Sequence, residues 1–180
     1  MTRIIQELPY FGQPTSAPVR GQSFPVKREQ IIVWVSVADP GQGQLDPRTP
    51  RIPAILDTGC NHNFVINQQH LTDWAGIHPD YLPKLAGTRV AGEPVSQFAA
   101  NVWLHPNVPG KRDEPTSGPP FQLELAPGIA VHPAAQGEPV HPRLPLLGLR
   151  AFQRAGLRIA IDCGRRRVNI RTRRRLWLFG

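Results

Sequence analysis

Proline and glycine interrupt this sequence along its whole length, with 21 prolines and 16 glycines among 180 residues. Proline breaks helices and is excluded from the middle of sheets, and glycine favours turns, so long uninterrupted elements are not expected. The pattern predicts short strands joined by irregular loops, and therefore an all-β fold rather than a helical bundle. A chain of this length is sufficient for one domain with its own core.

The hydrophobic pattern divides the chain into an N-terminal arm, residues 1–29, expected to be loosely ordered, and a domain over residues 30–180. A short helix is predicted from Gln68 to Trp74, capped by Asn67, and one short C-terminal helix from about Leu149 to Ala155. Strands are predicted at residues 31–37, 51–56, 88–90, 96–104, 121–125, 157–161, 167–171 and 176–179. Exposed proline-rich loops are expected at residues 105–120 and 126–143.

The formal net charge of +8 is concentrated in a basic C-terminal tail, residues 165–180. The arginines that crowd the tail are Arg165, Arg166, Arg167, Arg171, Arg173, Arg174 and Arg175. Such a cluster can attract nucleic acid or another polyanion by releasing counterions from phosphate. The favoured interpretation is a solvated strand face, with burial supplied by Val168, Ile170, Leu176 and Leu178.

The sequence also indicates the environment of the protein. No run approaches the roughly 18 to 20 apolar residues needed to cross a bilayer, so no membrane association and a soluble, cytoplasmic protein are expected. Cys60 and Cys163 are too few for a disulfide scaffold and are expected to be reduced. The six histidines form no close ligand pair, and four precede proline, so surface positions are expected for them.

The strand at residues 51–56 ends abruptly in Asp57-Thr58-Gly59. A carboxylate after a buried strand is costly unless it has partners or a purpose. Two such carboxylates can share one proton across a water, one acting as base while the other polarises a carbonyl group. Alternatively, Asp57, Cys60 and His62 could ligate a metal, or the tripeptide could form an ordinary turn. The tripeptide alone leaves these three interpretations open.

Two separated segments resemble the retropepsin-like aspartic proteases, the single-domain relatives of the pepsins. The first is residues 54–60, AILDTGC, an apolar strand followed by Asp-Thr-Gly. The second is residues 146–170, which begins Leu-Leu-Gly and is similar to the apolar-apolar-Gly helix, glycine turn and closing strand of that family. The resemblance covers roughly residues 30 to 170, and Cys60 departs from the usual alanine or serine.

The resemblance implies a homodimeric endopeptidase that hydrolyses a polypeptide substrate without a metal or other cofactor. Each protomer would contribute Asp57, with Thr58 locking the two loops across the dimer axis and Gly59 donating its N–H to the carboxylate. Gly148 would pack beneath the loop. The hairpin expected at residues 86–104 falls where the family carries its flap, which places Val90, Ala91 and Gly92 at the flap by position only.

Two questions stay open at this level. The same fold could serve as a non-catalytic peptide-binding or nucleic-acid-binding module, the latter through the basic tail. The apolar end of the tail, residues 176–179, could instead pair with its two-fold mate in a dimer sheet.

Overall fold

Strands account for 44% of the residues and helices for 9% in the computed structural model, so the all-β prediction is confirmed. The structure describes residues 2–114, 116–123, 125–126, 128–134 and 142–173. Its strands are β1 Arg3–Pro9, β2 Thr15–Val19, β3 Gln22–Val26, β4 Ile32–Ala38, β5 Ile52–Asp57, β6 Phe64–Asn67, β7 Thr88–Val90, β8 Glu93–Phe98, β9 Asn101–Leu104, β10 Phe121–Leu123, β11 Ile129–His132, β12 Leu146–Gly148, β13 Leu157–Asp162 and β14 Arg167–Thr172. The helices are α1 Gln68–Asp73 and α2 Leu149–Arg154, and Pro79–Tyr81 forms a 3-10 turn.

Nine strands form the main sheet, in the order β10-β9-β4-β5-β12-β6-β11-β8-β7. All seven residues of β4 are buried, as expected for a continuous apolar run covered on both faces. β12 lies between β5 and β6, parallel to β5 and antiparallel to β6. A segment far along the chain thus separates two consecutive strands, and this arrangement brings the second resembling segment beside the first.

The helix predictions are confirmed. The Asn67 side chain accepts a hydrogen bond from the backbone N–H of Gln69 at 2.7 Å, which caps α1 as expected. Glycine follows both helices in the left-handed conformation, with φ of +75° at Gly76 and +63° at Gly156. An L side chain is disfavoured at these angles, so glycine allows the chain to turn after each helix.

The expectation of a loosely ordered N-terminal arm is wrong. β1 pairs antiparallel with β14, and β2 and β3 form a separate hairpin whose turn residues, Arg20 and Gly21, both have positive φ. Pro18 and Pro25 lie within this two-stranded ribbon, where a strand has only one partner and can tolerate a missing N–H. The prolines therefore mark edge strands here rather than a loop.

The two proline-rich loops also differ from the prediction. In residues 105–120, Asn107 and Arg112 are almost fully buried, so this loop is not simply exposed. In residues 126–143 the buried strand β11 pairs parallel with β6 and antiparallel with β8. The short run Ile129–His132 was missed because it lies between prolines, but its backbone is satisfied by strands on both sides.

The hairpin expected over residues 86–104 is correct at its first arm and wrong at its second. β7 matches the predicted first arm and pairs with β8. The predicted second arm is divided into β8, which also pairs with β11, and β9, which pairs with β4 and β10. The chain therefore leaves the hairpin at one edge of the main sheet and continues into β9, the strand next to the opposite edge.

β1, β14 and β13 form a three-stranded sheet, here called the terminal sheet. Val168 and Ile170 are fully buried beneath it, which confirms the solvated strand face expected for this part of the basic tail. The predicted strand at residues 176–179, together with Arg174 and Arg175, lies outside the described residues. Neither helix of the described chain has the length and apolar character that crossing a membrane requires.

Candidate active site

Asp57 is the last residue of β5 and lies opposite Gly148 of β12 in parallel register. Backbone hydrogen bonds anchor the end of β5 on both sides, from Ile55 N to the Pro145 carbonyl at 2.8 Å and from Leu56 N to the Ile31 carbonyl at 2.9 Å. The apolar strand therefore delivers the carboxylate to a fixed position at the edge of the core. Residues 57–63, here called the Asp57 loop, then connect β5 to β6.

The Asp57 carboxylate is oriented by its own loop. Its Oδ1 accepts a hydrogen bond from the backbone N–H of Gly59 at 2.9 Å, and the Asp57 carbonyl accepts one from the N–H of Cys60 at 3.3 Å. The side chain is half-buried. Within the described residues, no Lys, Arg or His lies within ion-pair distance of it. The carboxylate is thus positioned by a backbone donor without being neutralised by a cation.

Gly148 supports the Asp57 loop from below, as the sequence predicts. Its N–H donates to the carbonyl of Asn63 at 3.0 Å. A methyl group on Gly148 would overlap the carbonyl oxygen of His62 and lie 2.8 Å from that of Cys60. Only a glycine allows the loop to approach β12 this closely, so the loop conformation depends on it.

Asn63 was not identified from the sequence, although it fastens the same loop. Its side chain is buried, and its Nδ2 donates to the carbonyl of Ala126 at 3.3 Å. This contact joins residues 63 apart in the chain, and no local pattern signals it. Thr58 and Gly59, in contrast, are exposed at the tip of the loop. The backbone of the loop is held at its base while its tip faces outward.

Cys60 is half-buried beside a small apolar cluster of Val65, Val95 and Ala130. Burial raises the pKa of the Cys60 thiol, the hydrogen bond to His62 opposes this shift, and the nearby charge of Asp57 adds to it. A raised pKa keeps the thiol protonated at neutral pH, which makes it a weak nucleophile. Cys60 therefore packs as a small apolar side chain.

The β7–β8 hairpin reaches the same cluster. Val90, at the end of β7, packs against it together with Cys60 and Leu146. The turn residues Ala91 and Gly92 both have positive φ and are exposed, and the Arg89 side chain donates across the turn to the Gly92 carbonyl at 2.8 Å. Of the three residues assigned to a flap by position, the structure thus places Val90 near the Asp57 loop and the other two at the exposed tip.

The alternative metal site is not supported. Among the described residues, no three His, Cys, Asp or Glu side chains are grouped closely enough to hold a metal ion. The expectation of surface histidines is also wrong at several positions: His70 and His132 are buried, and His105 is half-buried. Burial lowers the pKa of His105 to about 4, with a further contribution from Arg51, and its Nε2 lies 2.8 Å from the Ser36 hydroxyl oxygen.

No protein-family model matches the chain, and no curated protein matches it at a significant level. The resemblance to aspartic proteases therefore depends on the two segments that meet at Asp57 and Gly148.

Proposed function

We propose that this chain is the protomer of a homodimeric aspartic endopeptidase that hydrolyses peptide bonds in a polypeptide substrate. The observation that carries the proposal is the state of Asp57: its carboxylate is oriented by the Gly59 N–H, backed by Gly148 and left without a cationic partner in the described structure. Four described aspartates lie within ion-pair distance of a basic side chain: Asp46, Asp80, Asp113 and Asp162. Asp57 instead lies at the base of an exposed loop tip.

In the proposed reaction, two copies of Asp57 lie across a dimer axis and share one proton. Like charges about 3 Å apart cannot both ionise, so one carboxylate is protonated and the other is charged. The charged carboxylate takes a proton from water, and the water oxygen attacks the scissile carbonyl carbon. The protonated carboxylate donates to the carbonyl oxygen, and proton transfer to the leaving nitrogen then completes the cleavage.

Dimer formation is part of the proposal because the chain contains one Asp-Thr-Gly and no second copy. A two-fold dimer is the simplest assembly that places identical loops face to face. The exposed position of Thr58 supports this arrangement, because its hydroxyl is available to contact the partner's loop. The proposal places the enzyme in the cytoplasm, where a reducing environment would maintain the free thiols of Cys60 and Cys163.

The test is the Asp57→Asn variant, assayed for cleavage of an unfolded protein substrate between neutral and acid pH. The variant should fold and dimerise normally but lose cleavage by about a thousandfold or more, because an amide cannot act as the base. Asp162→Asn is the matched control. Asp162 is also a carboxylate at the end of a strand and accepts from a backbone N–H, that of Arg165 at 2.9 Å, but it lies in the terminal sheet. Undiminished proteolysis by Asp57→Asn would overturn the proposal.

Mixing the two proteins tests the shared site directly. If each active site needs two copies of Asp57, an equimolar mixture that exchanges subunits retains about half the activity of the same amount of wild-type protein alone. Full activity in the mixture, after exchange has been shown, would mean that one Asp57 is sufficient. Peptide binding that persists without cleavage by the wild-type chain would instead support a non-catalytic module.

A further inference from the structure

Three arginines lie in one row across the terminal sheet. Arg171 in the central strand β14 is directly opposite Arg3 of β1 on one side and Arg158 of β13 on the other. Directly paired residues of antiparallel strands project from the same face of a sheet. Because neighbouring strands are about 4.8 Å apart, the row spans roughly 10 Å from first to last backbone position.

The position of this row on the sheet is set by burial. Val168 and Ile170 of β14 face the core, so the alternate residues of that strand face outward. Arg3 and Arg158 are exposed, and Arg171, between them, is half-buried. Exposed Arg173 follows shortly after Arg171 and extends the same positive surface beyond the end of β14.

The row places three positive charges on adjacent strands. Like charges placed directly opposite each other destabilise a sheet. In the part of the chain that the structure describes, no carboxylate lies within ion-pair distance of Arg3, Arg158 or Arg171. The acidic side chains nearest in sequence register are engaged elsewhere: Glu7 accepts from the Asn169 side chain, and Asp162 accepts from the Arg165 backbone.

We propose that this row, Arg3, Arg171 and Arg158, is a docking surface for the phosphate backbone of nucleic acid. A guanidinium group binds phosphate with two parallel N–H donors, so three adjacent arginines suit a chain of phosphates better than a single anion. Beside the row, this face presents Ala160 and Asn169, which are opposite each other in register. Neither of these two side chains can stack on a base, so this part of the face provides charge alone and the binding is independent of sequence.

A membrane surface is the competing partner for a basic face. Interfacial membrane binding combines basic residues with large apolar side chains that enter the bilayer. The outward positions beside the row, Ala160 and Asn169, are small or polar and supply no such anchor. The surface is consequently assigned to nucleic acid, and a lipid vesicle serves as the competing probe in the test.

The test measures binding of the full chain to a fluorescent DNA duplex of about 20 base pairs by anisotropy, as salt rises from about 50 to about 200 mM. With about three phosphates neutralised, the dissociation constant should rise about 40-fold over this range. The Arg3→Gln, Arg158→Gln, Arg171→Gln triple variant should lose most of the affinity and of the salt dependence. The matched control replaces Lys27, Arg28 and Lys84 with glutamine, which removes the same charge from exposed positions on other elements.

The control should keep the wild-type salt dependence, and Asp57→Asn should bind DNA normally, because the row does not involve the proposed catalytic loop. An unchanged salt dependence in the triple variant would overturn the assignment, as would an equal loss in the control. Binding of the wild-type chain to phosphatidylserine vesicles but not to DNA would also overturn it and would assign the face to membranes. Circular dichroism of the triple variant should match wild type, since the substitutions remove like-charge repulsion.

Discussion

The Asp57 loop and the segment at residues 105–114, here called the insertion loop, are held in place by opposite means. The Asp57 loop is fastened mainly through its backbone: the Asn63 carbonyl accepts from the Gly148 N–H, and the Cys60 N–H donates to the Asp57 carbonyl. Among the described residues, the Asp57 side chain has no cationic partner. The insertion loop is held by hydrogen bonds and an ion pair of its own side chains, which are therefore engaged in holding the loop.

Asn107 shows how completely the insertion loop uses its polar groups. Its Oδ1 accepts from the Gln6 backbone N–H at 2.8 Å. Its Nδ2 donates, at 2.9 Å in each case, to the carbonyls of Gln6, Val108 and Lys111. One buried amide thus closes the loop on itself and ties it to β1. The Asn107 side chain is therefore committed to holding the loop in place.

Arg112 holds the insertion loop with a charged side chain. Its guanidinium is almost fully buried, binds both carboxylate oxygens of Asp113 at 2.8 and 2.7 Å, donates to the Ser16 carbonyl and lies over the Phe11 ring. The Trp34 indole donates to the Arg112 carbonyl at 2.8 Å. The aspartates of the two loops therefore differ in kind: Asp113 completes an ion pair, whereas Asp57 has none among the described residues.

The largest effect on stability is expected from Gly148→Ala, which disrupts the backbone contacts that support the Asp57 loop. The added methyl group meets the carbonyls of His62 and Cys60, which are backbone atoms and cannot move without displacing the loop. We expect a loss of about 3 kcal/mol or more in the free energy of unfolding, together with loss of any activity that depends on Asp57. Denaturant unfolding and the cleavage assay would measure the two effects.

Gly43→Ala is the control for this variant, because nothing lies within 4 Å of the added methyl group. It should change the unfolding free energy by no more than about 0.5 kcal/mol. A Gly148→Ala protein as stable and active as wild type would show that the loop is not seated on β12 as described.

The second largest effect on stability is expected from Arg112→Ala, which removes the side-chain contacts that support the insertion loop. The change leaves the Ser16 carbonyl without its Arg112 donor and removes the pair between the buried guanidinium and Asp113, at a cost of about 2 to 3 kcal/mol. Activity at Asp57, measured where the variant is folded, should be unaffected. Arg48→Ala is the control, since Arg48 also pairs with an aspartate, Asp46, but is exposed and should give no measurable change. Equal stability of the two variants would contradict the distinction between the loops.

The sequence predicted the elements whose signals are local. β4 and β5 follow β-branched and apolar runs, and α1 is bounded by a capping Asn67 and a following Gly76. The sequence-based predictions failed where a strand is stabilised by partner strands that lie elsewhere in the chain. Residues 1–29 contain four prolines and looked irregular, yet β1 is completed by β14 from the far end of the chain. β11 was missed for the same reason, because its ladder partners lie in β6 and β8.

The residues of the candidate site likewise divide into those that local sequence predicts and those that only tertiary contacts reveal. Asp57, Thr58 and Gly59 were identifiable because three adjacent residues carry the motif, and Gly148 because it belongs to a second segment in the expected order. Asn63 was not, since its contact with Ala126 exists only in the folded chain. Local sequence therefore indicates which residues form the candidate site, and tertiary contacts determine which polar groups hold them in place.

The smallest effect on stability is expected from lowering the pH. It acts on the insertion loop, because a side chain of that loop takes up a proton. His105 begins the insertion loop, and burial lowers its pKa to about 4, below the value of about 6.5 expected in the unfolded chain. Between these values the unfolded state binds more protons than the folded state, so stability falls as pH decreases from about 6.5 to about 4. His105 can contribute at most about 1.4 kcal/mol per pH unit, less where solvent reaches its ring.

His105→Gln should reduce this dependence, because glutamine does not titrate and can still donate to the Ser36 oxygen that His105 Nε2 contacts at 2.8 Å. Urea unfolding at several pH values between about 4 and 7 would compare the slopes of wild type and variant. An identical slope would show that His105 is not the titrating group. The hydrogen bond from the Gly148 N–H to the Asn63 carbonyl, which holds the Asp57 loop on β12, contains no group that titrates in this range, so this contact is unchanged as His105 takes up its proton.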